Sequence, residues 1–432
     1  MFKHDNFRVD FNTADYSDLT FSPKDREVLR RLAGEIAEIA ARPVMDERRK
    51  LWFAHNALGK TRPLILCDPE NGWNEIITDD QIECTNSVAR HWECFLRKQL
   101  FWGNRMDDDY VVEAKLFMPY VFQSTPWRVA GSDKVVTMHS TDLTGGAYHI
   151  DPVLDDYAQL KDLVKAELIV DFPTSARVLA LAQETLGDLL EVTQDTAWYW
   201  SVGLTDEFAF LRGLEKLLYD FYEEPDGIHA LMERLCQGQL ERLDFLEANG
   251  LFTLNNRSHY VGSGGIGFTN ELPGDDFAGK VGTRHLWALA ESQVTVGISP
   301  DMFAEFIFPY QKRVMERFGL TCYGCCEPMD NRIDLVKTVK NLRRVSVSPW
   351  ANKPIMAEKL GHDYVYSLKV SPTPLSMPSL DEDHVRKELR VQLQAAKGCC
   401  LELIMKDNHT LGKNPRNLTR WVEIAREEIA AL

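Results

Sequence analysis

The pattern of hydrophobic and polar positions divides the chain into a helical beginning and a longer stretch of alternating strands and helices. After a Ser22-Pro23 start signal, apolar side chains recur at helical spacing at Val28, Leu29, Leu32, Ile36 and Ile39. A second helical stretch, rich in aromatic and charged residues, is predicted over 79–100. We therefore predict an N-terminal helical extension over residues 1–109 that packs on the rest of the protein.

From residue 110 onward, short β-rich runs alternate with amphipathic helices. The candidate strands are 111–118, 196–202, 252–256, 320–323, 344–348, 364–370 and 400–406. This alternation predicts a parallel sheet. No Gly-x-Gly-x-x-Gly motif opens a helix after the first strand, which disfavours a dinucleotide-binding fold. We predict an α/β fold, a (β/α)8 TIM barrel over residues 110–432, with chemistry at the C-terminal ends of its strands.

Composition narrows the range of partners. The formal net charge of −16 over 432 residues disfavours nucleic acid and anionic membranes, because both select basic surfaces. There is neither an apolar run of membrane-helix length nor a signal-peptide pattern, so we expect a cytoplasmic protein that binds a small molecule. Five of the nine cysteines fall in two clusters, which indicates metal or reactive-thiol chemistry more than disulfides.

The first candidate site follows the predicted strand 320–323. It contains the thiols of Cys322, Cys325 and Cys326 and the carboxylate of Glu327. Thiolates and carboxylates are ligands that zinc prefers. The alternative is that these thiols pack as small hydrophobic groups, as most intracellular cysteines do.

The second candidate site follows the predicted strand 400–406. Asp407 and His409 supply a carboxylate and an imidazole there, at the same end of the predicted barrel as the thiols. Together the two segments predict a thiolate, imidazole and carboxylate metal site. Alternatively, His409 is a solvated residue or a helix cap.

The third candidate is the glycine-rich segment 260–273. Its glycines permit close approach of the backbone to a ligand, or a mobile lid, and a plain flexible loop is the alternative. It lacks the Gly-Lys-Ser/Thr ending of a phosphate loop, so nucleotide binding is not supported. The predicted substrate-binding groups here and at neighbouring strand ends are Asn256, His259, Asn270, Glu271, Tyr323 and Trp350. Weaker candidates are Lys369 and the polar residues His139, Asp142, His149 and Asp151.

The chain resembles the uroporphyrinogen decarboxylase superfamily, which includes zinc-dependent, corrinoid-linked methyltransferases. The resemblance runs from about residue 110 to the C-terminus. It rests on Ile298-Ser299-Pro300-Asp301-Met302-Phe303-Ala304-Glu305-Phe306 with Pro309-Tyr310, on the Cys-Gly-containing strand end, and on the closing strand with its Asn414-Pro415-x-Asn417-Leu418 helix start.

The resemblance implies a (β/α)8 barrel and zinc-assisted transfer of a methyl group between a small methoxy or methylamine substrate and the corrinoid of a partner protein. Tyr323 stands where the methyltransferases have a histidine. The implied zinc ligands are Cys325, Cys326, Glu327 and His409, with Glu327, Asp407 and His409 as catalytic groups. It also suggests a homodimer. The alternatives are decarboxylation of the uroporphyrinogen type and a metal-free barrel that binds a small ligand.

Overall fold

The computed structural model describes residues 14–140, 148–195 and 198–432. Its strands are Leu64–Cys67 (β1), Lys115–Met118 (β2), Phe122–Ser124 (β3), Arg128–Val129 (β4), Thr137–Ser140 (β5), Tyr148–Asp151 (β6), Leu163–Val164 (β7), Leu168–Val170 (β8), Glu191–Gln194 (β9), Tyr260–Val261 (β10), Gly265–Ile266 (β11), Trp287–Ala290 (β12), Leu320–Tyr323 (β13), Leu342–Val347 (β14), Val365–Lys369 (β15) and Cys400–Met405 (β16).

The α-helices are Pro23–Ala40 (α1), Pro43–Asn56 (α2), Trp73–Ile76 (α3), Ser87–Arg105 (α4), Phe172–Leu186 (α5), Thr205–Arg212 (α6), Leu214–Glu223 (α7), Pro225–Ala248 (α8), Pro300–Met302 (α9), Phe308–Met315 (α10), Ile333–Val336 (α11), Lys353–Leu360 (α12), Glu382–Ala395 (α13) and Arg416–Ala430 (α14). A π-helical turn at Phe303–Ile307 joins α9 to α10. Within the described ranges, no helix is both long and apolar enough to cross a membrane.

Six parallel strands form the central sheet, in the order β1-β16-β15-β14-β13-β12. A second parallel pair joins β2 to β9, and the other strands form two-stranded antiparallel ribbons. Every residue of β1, β12, β13, β15 and β16 is buried, so these strands have a covered surface on both faces, as parallel sheets require. The fold is therefore mixed α/β with a six-stranded parallel sheet.

Four predicted strands, 320–323, 344–348, 364–370 and 400–406, match β13 to β16 closely, and 111–118 overlaps β2. Two strand predictions were wrong. Residues 252–256 form no strand, and neither do 198–202, whereas 196–197 lie outside the described residues. The Asn255 side chain bonds to β12 in place of main-chain strand pairing. Its Nδ2 donates to the Trp287 carbonyl at 3.0 Å, and its Oδ1 accepts from the Trp287 N–H at 2.9 Å. In the described ranges, main-chain pairing does not close the sheet into a barrel.

The N-terminal region is mainly helical, as the periodicity predicts. α1 begins with a capping box in which Ser22 and Asp25 exchange side-chain and main-chain hydrogen bonds. However, the helical reading missed β1, which pairs with β16 in parallel register from Leu64 opposite Glu402. The region before residue 110 therefore supplies the edge strand of the central sheet. The domain boundary at 109/110 stays a prediction.

The glycine-rich segment forms the hairpin of β10 and β11, which lies directly against the central sheet. A side chain at Gly262 would meet the Cys322 sulfur at 2.9 Å, and one at Gly265 would meet the Arg344 guanidinium at 2.6 Å. A side chain at Gly264 would meet Ile404 Cγ2 at 2.3 Å. The glycines are therefore needed for close packing, and the segment is not a plain flexible loop.

This contact predicts that Gly264→Ala is strongly destabilising. Gly264 has a φ of +116°, and its added methyl group would collide with β16, so we expect a loss of about 3 kcal/mol or more in the free energy of unfolding. Gly398→Ala is the matched control, because Gly398 also has a positive φ, +91°, but faces open space. It should cost only about 1 kcal/mol. Equal losses in denaturant titrations would contradict the packing of the hairpin on the sheet.

Candidate active site

Polar side chains stand along the C-terminal edge of the central sheet, where its parallel strands end. Across the sheet these are Asp68 after β1, Lys406 and Asp407 after β16, Lys369 at the end of β15, Ser348 after β14, Cys325 to Glu327 after β13, and Glu291 after β12. Most are buried. A row of buried polar groups at this edge of a parallel sheet is the usual location of an active site in α/β folds.

The Cys325 thiol lies at the centre of a hydrogen-bonded relay. Lys406 Nζ donates to Ser263 Oγ at 3.3 Å, and Ser263 Oγ donates to Cys325 Sγ at 3.1 Å. The Cys326 sulfur lies 3.5 Å from that of Cys325. Each donor in this arrangement favours the thiolate form of Cys325, because a hydrogen bond to the charged form stabilises it.

These contacts decide which of the two adjacent thiols ionises. The hydrogen bond from Cys326 lowers the pKa of Cys325 to about 6, against the cost of burial, and the ammonium groups of Lys406 and Lys369 act in the same direction. The same hydrogen bond raises the pKa of Cys326 far above its ordinary value. Ser263 donates to Cys325, whereas the Asp407 carboxylate lies beside Cys326, so these contacts favour ionisation of Cys325 over Cys326.

Lys406 connects this thiolate to a group of carboxyls. Its Nζ lies 3.2 Å from Asp407 Oδ1 and 3.8 Å from Glu70 Oε1. Burial and the neighbouring Asp68 raise the pKa of Glu70 to about 8, and burial raises the pKa of Asp68 to about 6. Glu70 consequently holds its proton at a pH at which Cys325 has lost its own. The site therefore combines a thiol whose pKa is lowered with a carboxyl whose pKa is raised, which is the pairing that nucleophile and acid chemistry requires.

Glu327 has a structural role in shaping the strand end. Its two carboxylate oxygens accept the N–H groups of Ser292 at 2.8 Å and Cys325 at 2.9 Å. Gly324, with a φ of +92°, permits the sharp turn that aims both cysteines at the sheet edge. Burial raises the pKa of Glu327 and, well above its usual range, that of Glu291.

Four predicted site residues lie at the surface. His409, Asn270 and Trp350 are exposed, and Glu271 pairs with Arg343 at 2.8 Å. In the described ranges none of them contacts the thiols. Asp407 is the one residue of the predicted Asp407–His409 pair that reaches the site, with its Oδ2 3.8 Å from Cys326 Sγ.

Three other predicted residues make buried contacts. Tyr323 donates to Gln311 at 2.6 Å, and Asn256 donates to the Leu272 carbonyl at 2.6 Å. His259 Nε2 lies 2.8 Å from Asp195 Oδ2, so it forms a histidine–carboxylate pair after β9.

Among the weaker candidates, Lys369 lies at the sheet edge, whereas the polar residues of the β5–β6 region form a separate group. His139 and Asp151 pair at 2.6 Å, and His149 lies 3.3 Å from Asp151, on the exposed β5–β6 ribbon. Asp142 lies outside the described residues. These side chains are therefore a solvated surface pair rather than part of the sheet-edge site.

The predicted zinc ligands do not fit a zinc ion as they stand. Zinc needs donors converging at about 2.0–2.3 Å. Both Glu327 oxygens accept main-chain N–H groups, His409 is exposed, and the Cys325 charge is balanced by lysines. Across 14–140, 148–195 and 198–432, no three His, Cys, Asp or Glu side chains are placed to hold a metal ion.

Several central residues escaped the sequence interpretation. Lys406 ends the predicted strand 400–406, and a lysine directly after the apolar residues Leu403, Ile404 and Met405 is itself a signal. Ser263 was overlooked beside the larger polar groups of the glycine-rich segment. Glu70 follows a four-residue strand in a region read as helical, so nothing in the sequence marked it.

Comparisons with known proteins add little to this geometry. No family model matches the sequence, and no curated protein matches it. One similar solved structure is a methyltransferase from Methanosarcina mazei, with 11% sequence identity and a TM-score of 0.49. The match covers 88% of this chain and 98% of that chain. A likeness of this size does not transfer the activity of that protein to this chain.

Proposed function

We propose that this chain is a thiol-dependent methyltransferase in which Cys325 takes a methyl group from a small methoxy or methylamine substrate. The observation that supports this proposal is the thiolate of Cys325, held by Ser263, Cys326 and two lysines at the sheet edge. A desolvated thiolate with a lowered pKa is an activated nucleophile.

In the proposed reaction Cys325 is the nucleophile and Glu70 is the acid. The Cys325 sulfur attacks the methyl carbon, so a sulfur–carbon bond forms as the bond from carbon to the leaving oxygen or nitrogen breaks. The leaving atom keeps the electron pair and takes a proton from the Glu70 carboxyl. Lys406 lies between the two groups and balances the negative charge that passes from sulfur to carboxylate.

The methyl group must then leave Cys325 for the enzyme to turn over. We propose a corrinoid carried by a partner protein as the acceptor, in line with the family resemblance; when reduced, it supplies a stronger nucleophile than a thiolate. The partly exposed Cys326 and Asp407 mark where the site opens to such a partner. No step uses zinc, because the predicted ligands do not converge.

The proposal also places the site at the mouth of a (β/α)8 barrel. Hydrogen bonds that connect the six-stranded sheet with the β2–β9 pair support this arrangement. The N–H of Asp109, which precedes β2 in the chain, donates to the Ile65 carbonyl of β1 at 2.7 Å. Thr253 Oγ1 donates to Asp195 after β9, and its near neighbour Asn255 bonds to β12. Residues 252–256 thus contact a residue that follows β9 and the first residue of β12, which supports the proposed barrel arrangement.

A pH profile tests the proposed function. Purified protein would be given methoxyarenes and methylamines with a reduced corrinoid, and the demethylated product would be measured. The rate should rise as Cys325 loses its proton near pH 6 and fall as Glu70 loses its proton near pH 8. A metal chelator should leave it unchanged. A rate that still climbs above pH 8, or carbon dioxide release from uroporphyrinogen without demethylation, would contradict the proposal.

Glu70→Gln tests whether Glu70 causes the predicted fall in rate near pH 8. Glutamine keeps the size of the side chain but has no acidic proton, so the rate at neutral pH should fall by about 10²-fold. Asp80→Asn, in an exposed position, is the control and should leave the profile unchanged.

A further inference from the structure

Cys325 and Cys326 are neighbours in sequence whose sulfur atoms are also neighbours in space. Their Sγ atoms lie 3.5 Å apart. Gly324, with a φ of +92°, turns the chain after β13, so the two side chains do not point to opposite sides as they would in a strand. Methyl transfer to Cys325 forms no bond to Cys326. The second sulfur therefore lies where it can bond to the first once that sulfur is oxidised.

A second pair of adjacent cysteines shows that proximity in sequence is not sufficient for such a contact. Cys399 Sγ lies 3.8 Å from the Ala357 carbonyl, and Cys400 Sγ lies 3.4 Å from the His55 carbonyl. Cys400 begins β16, where successive side chains point to opposite faces. The two sulfurs of this pair therefore contact different parts of the molecule, and the chain contains its own control for the Cys325 pair.

The surroundings give the two thiols of the Cys325 pair different chemistry. Ser263 Oγ donates to Cys325 Sγ at 3.1 Å, which favours the thiolate, the form that reacts with oxidants. The Asp407 carboxylate lies 3.8 Å from Cys326 Sγ and favours the protonated form of that thiol. An ionisable thiol with a second thiol beside it is the arrangement of redox-active cysteines, in which the second thiol resolves the oxidised first one.

The exposure of the two thiols limits the size of the oxidant. Cys325 is only 3% exposed, whereas Cys326 and Asp407 are partly exposed. A reagent must therefore pass Cys326 to reach the Cys325 sulfur. This arrangement favours hydrogen peroxide, which is little larger than water, over hydroperoxides that carry a bulky organic group.

We propose that hydrogen peroxide oxidises Cys325 and that Cys326 then forms a disulfide with it. The Cys325 thiolate attacks one peroxide oxygen, so a sulfur–oxygen bond forms as the oxygen–oxygen bond breaks. The other oxygen leaves with the electron pair and takes from solvent the proton that Cys325 had lost, which gives water and a sulfenic acid.

The second step closes the disulfide. The Cys326 sulfur attacks the Cys325 sulfur, the sulfur–oxygen bond breaks, and the departing hydroxide takes the Cys326 proton to give a second water. Overall, two thiols and one peroxide give one disulfide and two waters, so each sulfur loses one electron and each oxygen gains one. The reaction needs neither a methyl donor nor a corrinoid, so it is tested separately from the proposed function.

Peptide mass analysis after peroxide treatment tests the inference. The reduced full-length protein would be treated with hydrogen peroxide alone, and its free thiols would then be alkylated in denaturant. We expect loss of two hydrogens from the peptide that holds Cys325 and Cys326, reversed by dithiothreitol, with fragmentation locating the bond between them. Cys399 and Cys400 should be oxidised at least about 10-fold more slowly. tert-Butyl hydroperoxide should also react about 10-fold more slowly than hydrogen peroxide.

Two variants separate the steps. Cys326→Ser should leave Cys325 as a sulfenic acid that dimedone labels, and Cys325→Ser should leave Cys326 reduced. Full alkylation of Cys325 after peroxide treatment, a disulfide to Cys322, or equal oxidation of the two adjacent pairs would overturn the inference. The peptide map of the wild-type protein decides these outcomes even if neither variant folds. Equal rates with the two peroxides would overturn the assignment to hydrogen peroxide.

Discussion

Replacing Cys325 with serine is expected to lower the methyl-transfer rate by about 10³-fold or more. A serine hydroxyl stays protonated where the thiol is ionised, so the nucleophile is lost although the side chain keeps its shape. Ser263, Cys326 and Lys406 then have no anion to stabilise. Initial rates of demethylation at pH 7 would measure the loss, with circular dichroism as the check on folding.

Cys399→Ser is the matched control for this substitution. Cys399 is a free thiol just before β16, at the opposite end of that strand from the site, and its Sγ lies 3.8 Å from the Ala357 carbonyl. Its loss should leave the rate unchanged. If Cys325→Ser kept most of its activity, or if both variants lost it equally, the thiolate would not be the nucleophile.

Replacing Arg344 with methionine is expected to destabilise the folded state by about 3–5 kcal/mol. Arg344 Nε donates to Glu402 Oε1 at 2.9 Å, and Arg344 also donates to Asn56 Oδ1 at 2.6 Å. His55 Nε2 lies 3.1 Å from the same carboxylate. Methionine fills much of the volume but leaves the fully buried Glu402 charge without its main partner.

The pH dependence of this loss follows from Glu402. Its pKa, about 2, is held below the ordinary 4.5 mainly by Arg344 and despite burial. The stabilisation from this pair is therefore complete above pH 4.5 and is lost as the pH falls through 2. The difference in unfolding free energy between wild type and Arg344→Met should shrink over that range in acid denaturant titrations.

Arg343→Met is the control on the same strand. Arg343 pairs with Glu271, whose side chain is 44% exposed, so this ion pair is screened by solvent, and Arg343 also donates to the main-chain carbonyl of Asn56. Its removal should cost about 1–2 kcal/mol, less than the loss at Arg344, because it leaves no fully buried charge unpaired. Equal losses for the two neighbouring arginines would mean that the buried network does not stabilise the fold.

The sequence predicted the parallel sheet well because its later strands are apolar runs bounded by helix signals. It missed Leu64–Cys67, since four apolar residues carry no periodicity that separates a strand from a helix. It wrongly predicted a strand over 252–256, where the apolar alternation is present but Asn255 bonds to the sheet through its side chain. The local sequence pattern indicates which residues are buried, but it does not show which strand their main chain pairs with.

The sequence predicted where the candidate site lies better than which residues form it. Cys325, Cys326 and Asp407 do meet, as expected for residues at the ends of neighbouring parallel strands. The sequence suggested zinc because thiol, carboxylate and imidazole occur together, but it did not show that Glu327 is turned toward main-chain N–H groups. It also did not show that a lysine relay reaches the thiol, because that contact joins residues far apart in sequence.

In the proposed reaction, the Cys325 sulfur itself receives the methyl group. The direct measurement is to incubate the protein with a trideuteriomethyl-labelled substrate in the absence of any acceptor and to analyse its peptides by mass. We expect one trideuteriomethyl group on Cys325, which is removed when a reduced corrinoid is added. Methyl transfer to the corrinoid with Cys325 unlabelled at every time point would contradict it.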